Sequence, residues 1–570
     1  MSAHQRFGRM DRRTFVKQCA ALAVTLGTGT SLFQACSSAP TTAPTTSAPT
    51  VAAQQTPSAS ARAPEATPAP TQVGAGAEIK RGGNLTDISS VQNTTMDRHL
   101  YSAVTDADGP LLYDTFLHYS LADREQGKYE IRPALAESYE IVDPATVEFK
   151  LRRGVKFHDG SDFNAPVAAW NIERAASHPK STLKNAVALI TKTEVVNEYS
   201  LRLHLSRPSS VFLLQMSDGA NPSLGMVSKE AVERLGDEKF GVNPVGTGPM
   251  RFKEWRRDDR VVLERFDGHW ERGEDGRPLP YLDGCTVRFS TDMAAQIMEL
   301  KAGTVHSVRS RDVADVPAVK ADPNLAIQPM PGLWSSFPGM YINPRPDTPY
   351  PFSNDKRLRE AAHYAIDHQS MALALGQGLG KPSYYPFFFP GTLGYDETLP
   401  RREYDLAKAK QLLVEAGYPN GIDLEVKVIN RPADTAPLEV LQSMYAAAGI
   451  RLKILGLERS VWIEDGRSGR FQALSHAFQS YPEVLVAPWT KTGDVNNWSG
   501  YSNPEVDALY SEAEEQYDDV KRAEVYKRMQ KIHFDDAYFV TSFMTPRLVY
   551  VNKRVRNMSN HYLYRYVWLA

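Results

Sequence analysis

A change of composition near residue 79 limits where this chain can fold. Residues 37–78 consist almost entirely of Ser, Thr, Ala, Pro, Gln and Gly, and they include no aromatic residue. Such a segment cannot bury enough apolar surface to offset the conformational entropy that is lost on ordering. Its repeated prolines favour extended, polyproline-like geometry. We therefore predict a disordered linker over residues 36–78 and a folded body that begins at Ile79.

The N-terminus has the parts of an export signal. Arg12 and Arg13 precede a short apolar run, and small residues follow that run. The arginine pair, followed by Phe and Lys, resembles the twin-arginine signal, an address read by a receptor. The four residues ending at Cys36 resemble a bacterial lipobox, with Phe33 where an aliphatic residue is usual. We predict an export signal over residues 1–35 and a lipid on Cys36 that holds the protein at the outer face of the cytoplasmic membrane. The alternative is cleavage near the same point without lipidation.

The size and charge of the chain bear on its architecture and its partners. A chain of 570 residues is too long for one simple core and suits two or three lobes. Beyond residue 35 the sequence has 60 basic and 66 acidic side chains. This acidic balance does not favour a phosphate backbone, so we expect no nucleic acid partner.

The three cysteines of the chain argue against a disulfide framework. Cys19 lies in the expected signal and Cys36 is the expected lipid site, which leaves Cys285 alone. One thiol forms no intramolecular disulfide and no cysteine cluster for zinc. We predict no metal site and no cofactor.

Hydrophobic periodicity indicates a mixture of strands and helices. Residues 147–151, 201–205 and 424–428 alternate apolar with polar side chains, which is typical of half-buried strands. Residues 404–416 place their apolar side chains on one helical face, and Asn503-Pro504 is typical of a helix start. The mixture predicts α/β lobes.

The motifs that suggest catalysis are weak. His158 and Asp159 are adjacent on an extended segment, so their side chains point to opposite sides and cannot work as a base with its carboxylate. The Gly-x-Ser-x-Gly and His-Glu-x-x-His patterns are absent from the sequence. We predict that the protein is not an enzyme.

An ordered series of short blocks runs through the folded body. The blocks begin at residues 81 (RGGNL), 133 (PALAESY), 146 (TVEFKLRRGVKFHDG), 244 (PVGTGP), 281 (YLDG), 365 (AID), 412 (LLVEAGY) and 500 (GYSNPEVD). In this order they resemble the oligopeptide, dipeptide and nickel-binding family of ABC-importer solute-binding proteins, known as family 5.

The resemblance implies a fold, a domain order and partners. The fold would be the two-lobed periplasmic-binding-protein class II fold with an extra subdomain. Lobe I would span residues 79–315 with the inserted subdomain, lobe II residues 316–544, and residues 545–570 would return to lobe I. The partners would be a solute, an ABC permease and its ATPase, and the receptor would be a monomer.

Two aromatic-rich stretches form the candidate solute site. The first is residues 334–341 and the second is residues 478–498, and we expect both to be irregular. They supply the candidate ligand-binding residues Trp334, Phe337, Tyr341, Phe478, Ser480, Tyr481, Glu483, Trp489 and Trp498. Family peptide binders place a carboxylate for the peptide α-ammonium in the second stretch, and Ser480 stands at that position here. A serine cannot supply the charge-assisted bond, although Glu483 lies nearby.

The predicted function is capture of a peptide or similar polar solute between two lobes, followed by delivery to the permease. Ser480 leaves a non-peptide ligand open, whether an oligosaccharide, an opine or a metal chelate. A sensor without a permease is the other alternative.

Overall fold

The computed structural model describes most of the chain from residue 79 onwards. The described residues are 79–90, 92, 94–101, 109–123, 128–219, 223–310, 313–345, 347–479, 489–494, 497–558 and 564–570. All of them belong to one compact unit, Arg62–Ala570. The predictions for Arg12, Arg13, Cys36 and the linker lie outside the described residues.

Strands and helices alternate along the chain without a fixed repeat. The strands are β1 (Asn84–Ser89), β2 (Leu117–Asp123), β3 (Lys128–Pro133), β4 (Ala136–Asp143), β5 (Thr146–Leu151), β6 (Ile190–Asn197), β7 (Ser200–Leu205), β8 (Met250–Arg256), β9 (Arg260–Arg265), β10 (Gly284–Phe289), β11 (Ser307–Ser310), β12 (Leu325–Phe337), β13 (Met340–Ile342), β14 (Lys381–Pro382), β15 (Ile422–Ile429), β16 (Ile450–Leu457), β17 (Ala473–Ser475), β18 (Phe478–Gln479), β19 (Phe539–Val540), β20 (Phe543–Asn552), β21 (Val555–Arg556) and β22 (Trp568–Leu569).

The helices connect these strands or pack on the sheets. They are α1 (Gly109–Leu112), α2 (Ala165–Ser177), α3 (Lys184–Val187), α4 (Phe212–Gln215), α5 (Lys229–Leu235), α6 (Asp237–Phe240), α7 (Met293–Ala302), α8 (Val316–Lys320), α9 (Pro351–Asn354), α10 (Lys356–Tyr364), α11 (His368–Leu375), α12 (Leu406–Glu415), α13 (Pro432–Ala448), α14 (Arg459–Ser468), α15 (Pro504–Glu515) and α16 (Asp519–Asp536). Within the described residues, no helix combines the length and the apolar sequence needed to cross a membrane.

The largest sheet joins the two ends of the described chain. Its order is β18-β12-β20-β11-β1-β10-β9-β8, with β14 paired to β20. Strand β1 is parallel to β10 and β11, and the other pairs are antiparallel. Nine of the ten residues of β20 are buried. A strand from the C-terminal part of the chain is therefore a central element of a sheet that begins near residue 84.

A second sheet carries a separate core. Its order is β16-β15-β17-β13-β19, with β15 parallel to β16 and β17. In β15 every second side chain is buried, which places Leu424 and Val426 against Leu438 and Leu441 of α13. The alternation that predicted a strand at residues 424–428 thus reflects one face packed under a helix.

A third, antiparallel sheet is inserted between β1 and β8. Its order is β4-β5-β7-β6, and Phe149 and Leu201 of its central strands belong to one apolar core with residues of α2. Helix α2 begins after Asn164, whose side chain accepts a hydrogen bond from the Val167 N–H at 3.1 Å.

The inserted sheet also meets the end of α15, at what we call the α15 contact. Arg207 Nη1 donates to Glu514 Oε2 at 2.5 Å, and the Ser210 N–H donates to the Glu514 carbonyl at 2.5 Å. The Tyr517 hydroxyl donates to the carbonyl of Pro144 at 2.9 Å. These bonds join residues that are about 300 to 370 positions apart in sequence.

Candidate functional site

Five aromatic side chains pack into one cluster, which we call the aromatic wall. Its members are Tyr341, Trp462, His476, Trp489 and Trp498. The ring centroids of Tyr341 and His476 are 6.0 Å apart, and those of His476 and Trp489 are 5.0 Å apart. The Trp489 and Trp498 rings meet at 75° with centroids 6.4 Å apart, an edge-to-face arrangement.

The sheet topology explains why these rings meet. Tyr341 lies in β13, and its register partner across β17 is Leu474. His476 follows β17 directly, and its N–H donates to the Gly339 carbonyl at 2.7 Å. Trp462 comes from α14, and its ring stacks on His476 at an interplanar angle of 14°.

The wall has a buried side and a partly exposed side. Tyr341 and Trp462 are buried, while Trp489 and Trp498 keep part of their surface accessible. The short distances between centroids leave no room for a ligand between the rings. Of these four side chains, Trp489 and Trp498 offer accessible surface, and Arg467 Cζ lies 5.6 Å from the centroid of the Trp498 ring.

The wall carries no charge of its own near neutral pH. Burial lowers the pKa of His476 to about 4, so the imidazole is neutral at pH 7. Burial also raises the pKa of Tyr341, which keeps its hydroxyl protonated. The wall favours apolar or flat surfaces over ionic groups.

Trp334 belongs to the same apolar cluster as the wall. It lies in β12 and is partly buried, and its Nε1 donates to the Pro390 carbonyl at 3.1 Å. The Lys381 ammonium lies 5.0 Å from the centroid of the Trp334 ring, at cation–π distance. The structure thus brings together Trp334, Tyr341, Trp489 and Trp498 from the two predicted stretches.

One expectation for the first stretch is wrong. Residues 334–341 are not irregular: Trp334 to Phe337 belong to β12, and Tyr341 belongs to β13. The register shifts between Pro329 and Trp334, and beyond that point β12 pairs with β20 again. The sequence of β12 lacks strict alternation because a register shift interrupts it.

The other predicted residues are described in part or not at all. Phe337 pairs with Phe543 through the backbone, and Phe478 pairs with Ser336 across β12 and β18. Ser480, Tyr481 and Glu483 lie outside the described residues. Their contribution to the site, including the ammonium position, stays a prediction.

The sequence analysis missed two members of the wall, Trp462 and His476. Trp462 occupies a buried position of α14, where a tryptophan is typical of ordinary core packing. His476 carries a weak signal, because it directly follows the short apolar run of β17 and precedes the second aromatic stretch. His476 lies more than 130 residues from Tyr341 in the sequence, so local sequence patterns do not predict the contact between the two rings.

His158 and Asp159, which lie outside the wall, both have structural partners. His158 Nε2 donates to the Gly248 carbonyl at 3.0 Å, and His158 Nδ1 accepts from the Gly246 N–H at 3.2 Å. Asp159 accepts instead from Ser161 and Ser228. Within the described residues no three His, Cys, Asp or Glu side chains form a group suited to a metal ion, and Cys285 is buried.

Comparison with solved structures defines the class of protein to which the chain belongs. Two solved structures share the fold. They are the periplasmic binding protein DppA from Helicobacter pylori in complex with the peptide STSA (TM-score 0.69, 24% identity, 86% of this chain and 98% of that chain) and NikZ from Campylobacter jejuni in complex with Ni(L-His) (TM-score 0.69, 20% identity, 85% and 99%). The protein therefore has the two-lobed α/β fold of periplasmic binding proteins, as the sequence predicted.

The family follows from sequence. The model of the bacterial extracellular solute-binding proteins, family 5, matches residues 130–498. The glutathione-binding protein GsiB from Pectobacterium atrosepticum is 30% identical over 439 residues, which cover 74% of this chain and 81% of GsiB. The chain belongs to the bacterial extracellular solute-binding proteins of family 5, the receptors of ABC importers. The resemblance found in the sequence blocks is confirmed.

Proposed function

We propose that this receptor captures a peptide or a similar polar solute on the aromatic wall and delivers it to an ABC permease with its ATPase. The observation that carries the proposal is the pair of partly exposed rings, Trp489 and Trp498, held edge to face on a buried layer. Rigid aromatic rings supply contact area at a low cost in conformational entropy.

Binding, rather than catalysis, fits the chemistry of this wall. Its rings are neutral at pH 7, and the wall itself presents no nucleophile beside a base. Enclosure between two lobes would change the shape of the protein when a solute is bound, which is the signal that a permease can read. We propose that the solute leaves chemically unchanged.

The proposed ligand class is based on the ligands of similar proteins and on the serine at position 480. The relative GsiB is named for glutathione, DppA was solved with a peptide and NikZ with a nickel–histidine complex. Ser480 in place of a carboxylate disfavours dependence on a free α-ammonium, unless Glu483 supplies the charge. A glycan, an opine or a metal chelate is the alternative class, and a sensor without a permease is the alternative role.

A membrane tether is a further part of the proposal. We propose that residues 1–35 direct export, that Cys36 carries a lipid, and that residues 36–78 hold the monomeric body away from the membrane. The small residue before Cys36 and the nearly uncharged composition after it support this proposal. Cell fractionation of Cys36→Ala tests the anchor, because the variant is expected to leave the membrane fraction and unchanged partition would refute it.

The lobe boundaries are also a proposal: 79–315 with the inserted subdomain, 316–544, and 545–570 returning to the first lobe. The sheet order supports the return, since β20 pairs with β11 of the early part of the chain.

The proposed function is tested by calorimetry on the purified protein. The panel contains glutathione, the tetrapeptide Ser-Thr-Ser-Ala, their N-acetylated forms, oligosaccharides, and nickel with histidine. Micromolar or tighter binding of peptides in both forms is the expected result. Peptide binding abolished by acetylation would point to Glu483 as an ammonium anchor. Binding confined to sugars or to the nickel complex would refute the peptide class.

A further inference from the structure

The backbone of Trp498 is held by one arginine that follows β13. Arg345 Nη1 donates to the Ser499 carbonyl at 3.0 Å, and Nη2 donates to the Trp498 carbonyl at 3.2 Å. The planar guanidinium thus contacts two successive carbonyls, which a lysine ammonium cannot do with the same fixed fork geometry.

Two glycines form the slot in which this guanidinium lies. Gly469 and Gly500 have left-handed φ values of 71° and 73°. A Cβ atom at Gly469 would lie 2.5 Å from Arg345 Cζ, and one at Gly500 would lie 2.4 Å from it. A side chain at either position would both strain the backbone and displace the guanidinium.

The side-chain amide of Asn343 links this arginine site to α14, the helix that carries Trp462. Asn343 is fully buried, and its Nδ2 donates to the carbonyls of Gly469 at 3.0 Å and Phe471 at 2.8 Å. Gly469 ends α14. Asn343 and Arg345 therefore tie β13, the end of α14 and the Trp498 loop to one another.

Arg345 forms no ion pair with any residue that the structure describes. Its hydrogen bonds within the described chain go to carbonyl oxygens and to the Asn343 amide oxygen, and burial lowers its pKa. A half-buried cation without a carboxylate is costly to keep, whereas bonds from a charged donor to backbone carbonyls are stronger than neutral ones. The arrangement fits a group whose task is to fix a backbone.

We propose that Arg345 is a positioning residue of the solute site. By holding the Trp498 backbone, it orients the accessible Trp498 ring toward the solute, and so sets affinity without contacting the solute itself. This inference rests on the proposed function, because it assigns a role within the aromatic wall.

The first arm of the test needs no ligand. The protein is labelled with 5-fluorotryptophan, and the Trp498 fluorine resonance is assigned by its loss in Trp498→Phe. Arg345→Lys and Arg345→Met are expected to shift or broaden this resonance and to leave that of Trp270 in place.

Arg152→Lys is the matched control. Arg152 also donates to a backbone carbonyl, that of Ala134 at 3.1 Å, and its Cζ lies 4.5 Å from the Trp270 ring centroid. This control should move the Trp270 resonance and not the Trp498 resonance. An unchanged Trp498 resonance in both Arg345 variants would overturn the proposal.

The second arm measures affinity for glutathione and Ser-Thr-Ser-Ala. Misplacing one ring should weaken binding about two- to tenfold. Gly500→Ala should also weaken binding in the parent, and it should add a smaller loss in Arg345→Met, because only the strain of its left-handed φ then remains. Unchanged affinity in Arg345→Lys and Arg345→Met would overturn the proposal. Absence of binding in the parent would contradict the proposed peptide class, and the fluorine resonances would still decide whether Arg345 positions Trp498.

Discussion

Arg565 illustrates how single buried charges hold this protein together. It is 1% exposed, and its Nη1 lies 2.9 Å from both Asp114 Oδ1 and Glu271 Oε2. Burial is the strongest single influence and opposes the ionisation of these two carboxyl groups, but the Arg565 guanidinium together with the nearby His269 and His118 outweighs it and leaves their pKa values below the ordinary range. The C-terminal segment is thereby fixed to segments that are about 450 and 290 residues earlier.

Arg565→Met is predicted to destabilise the protein strongly. The substitution leaves two buried carboxylates without their cation, which costs about 3–5 kcal/mol. Denaturant unfolding measures the loss. Lys531→Met is the control, because Lys531 pairs with Asp535 on the exposed surface of α16 and should change stability by less than about 1 kcal/mol. Similar losses in both variants would contradict the assignment.

The buried histidine of the wall predicts a pH dependence of stability. Burial lowers the folded-state pKa of His476 to about 4, below the ordinary value near 6.5. Between these values the unfolded chain binds a proton that the folded protein does not, so stability falls as the pH falls from about 6.5 toward 4.

Replacing this histidine should reduce the effect. In His476→Phe the ring contacts remain but the titration is removed, so the unfolding free energy should fall less steeply over that pH range than in the parent. Unfolding by denaturant at several pH values measures both slopes. Equal slopes would show that His476 is not held neutral by the fold.

At the scale of elements, local signals in the sequence were reliable where one face of an element is buried. The alternation at residues 147–151 and 201–205 corresponds to β5 and β7, and the cap at Asn503 starts α15. The helix predicted from Tyr404 begins instead at Leu406, because the Asp405 side chain accepts from the Lys408 N–H at 2.8 Å and acts as its cap.

Elements that depend on distant partners were not visible in the sequence. The insertion of β20 between β11 and β12 is set by pairing across more than 200 residues. For the same reason the sequence identified Trp489 and Trp498 as site residues but missed Trp462 and His476, whose positions depend on how α14 and β17 pack beside β13.

The cap of α12 offers a test at this scale. Asp405→Ala is predicted to cost about 0.5–2 kcal/mol, since one N–H of the first turn loses its acceptor. Asp405→Asn keeps an acceptor oxygen and should lose only a small part of this stability. The midpoint of denaturant unfolding distinguishes the two variants, and equal losses would mean that charge, rather than capping, matters here.

At the scale of the whole molecule, the α15 contact joins the inserted sheet to helices that follow the aromatic wall in sequence. By the proposed lobe boundaries, Arg207 and Ser210 of lobe I bond Glu514 of lobe II, and Tyr517 of lobe II bonds Pro144 of lobe I. Partly exposed bonds of this kind contribute little individually, and together they bias a balance between open and closed forms.

Loosening this contact should favour an open form. Tyr517→Phe combined with Glu514→Ala removes the hydroxyl and carboxylate bonds, and it is expected to raise the radius of gyration of the ligand-free protein in small-angle scattering. Glu512→Ala is the control, because Glu512 pairs with Arg528 between α15 and α16 and has no part in the contact. An unchanged radius in the double variant would show that the contact does not hold the lobes together.

The central claim is that the solute stacks on the accessible rings of the aromatic wall, and one measurement tests it directly. The ligand that binds in the calorimetric panel is titrated into Trp489→Ala, Trp498→Ala and Trp255→Ala. Trp255 is a partly buried tryptophan of β8, stacked against Arg257 and outside the wall. The account predicts that each wall variant weakens binding by about 0.5–1.5 kcal/mol or more, while Trp255→Ala binds as the parent does. Parent-like affinity in both wall variants would contradict the account.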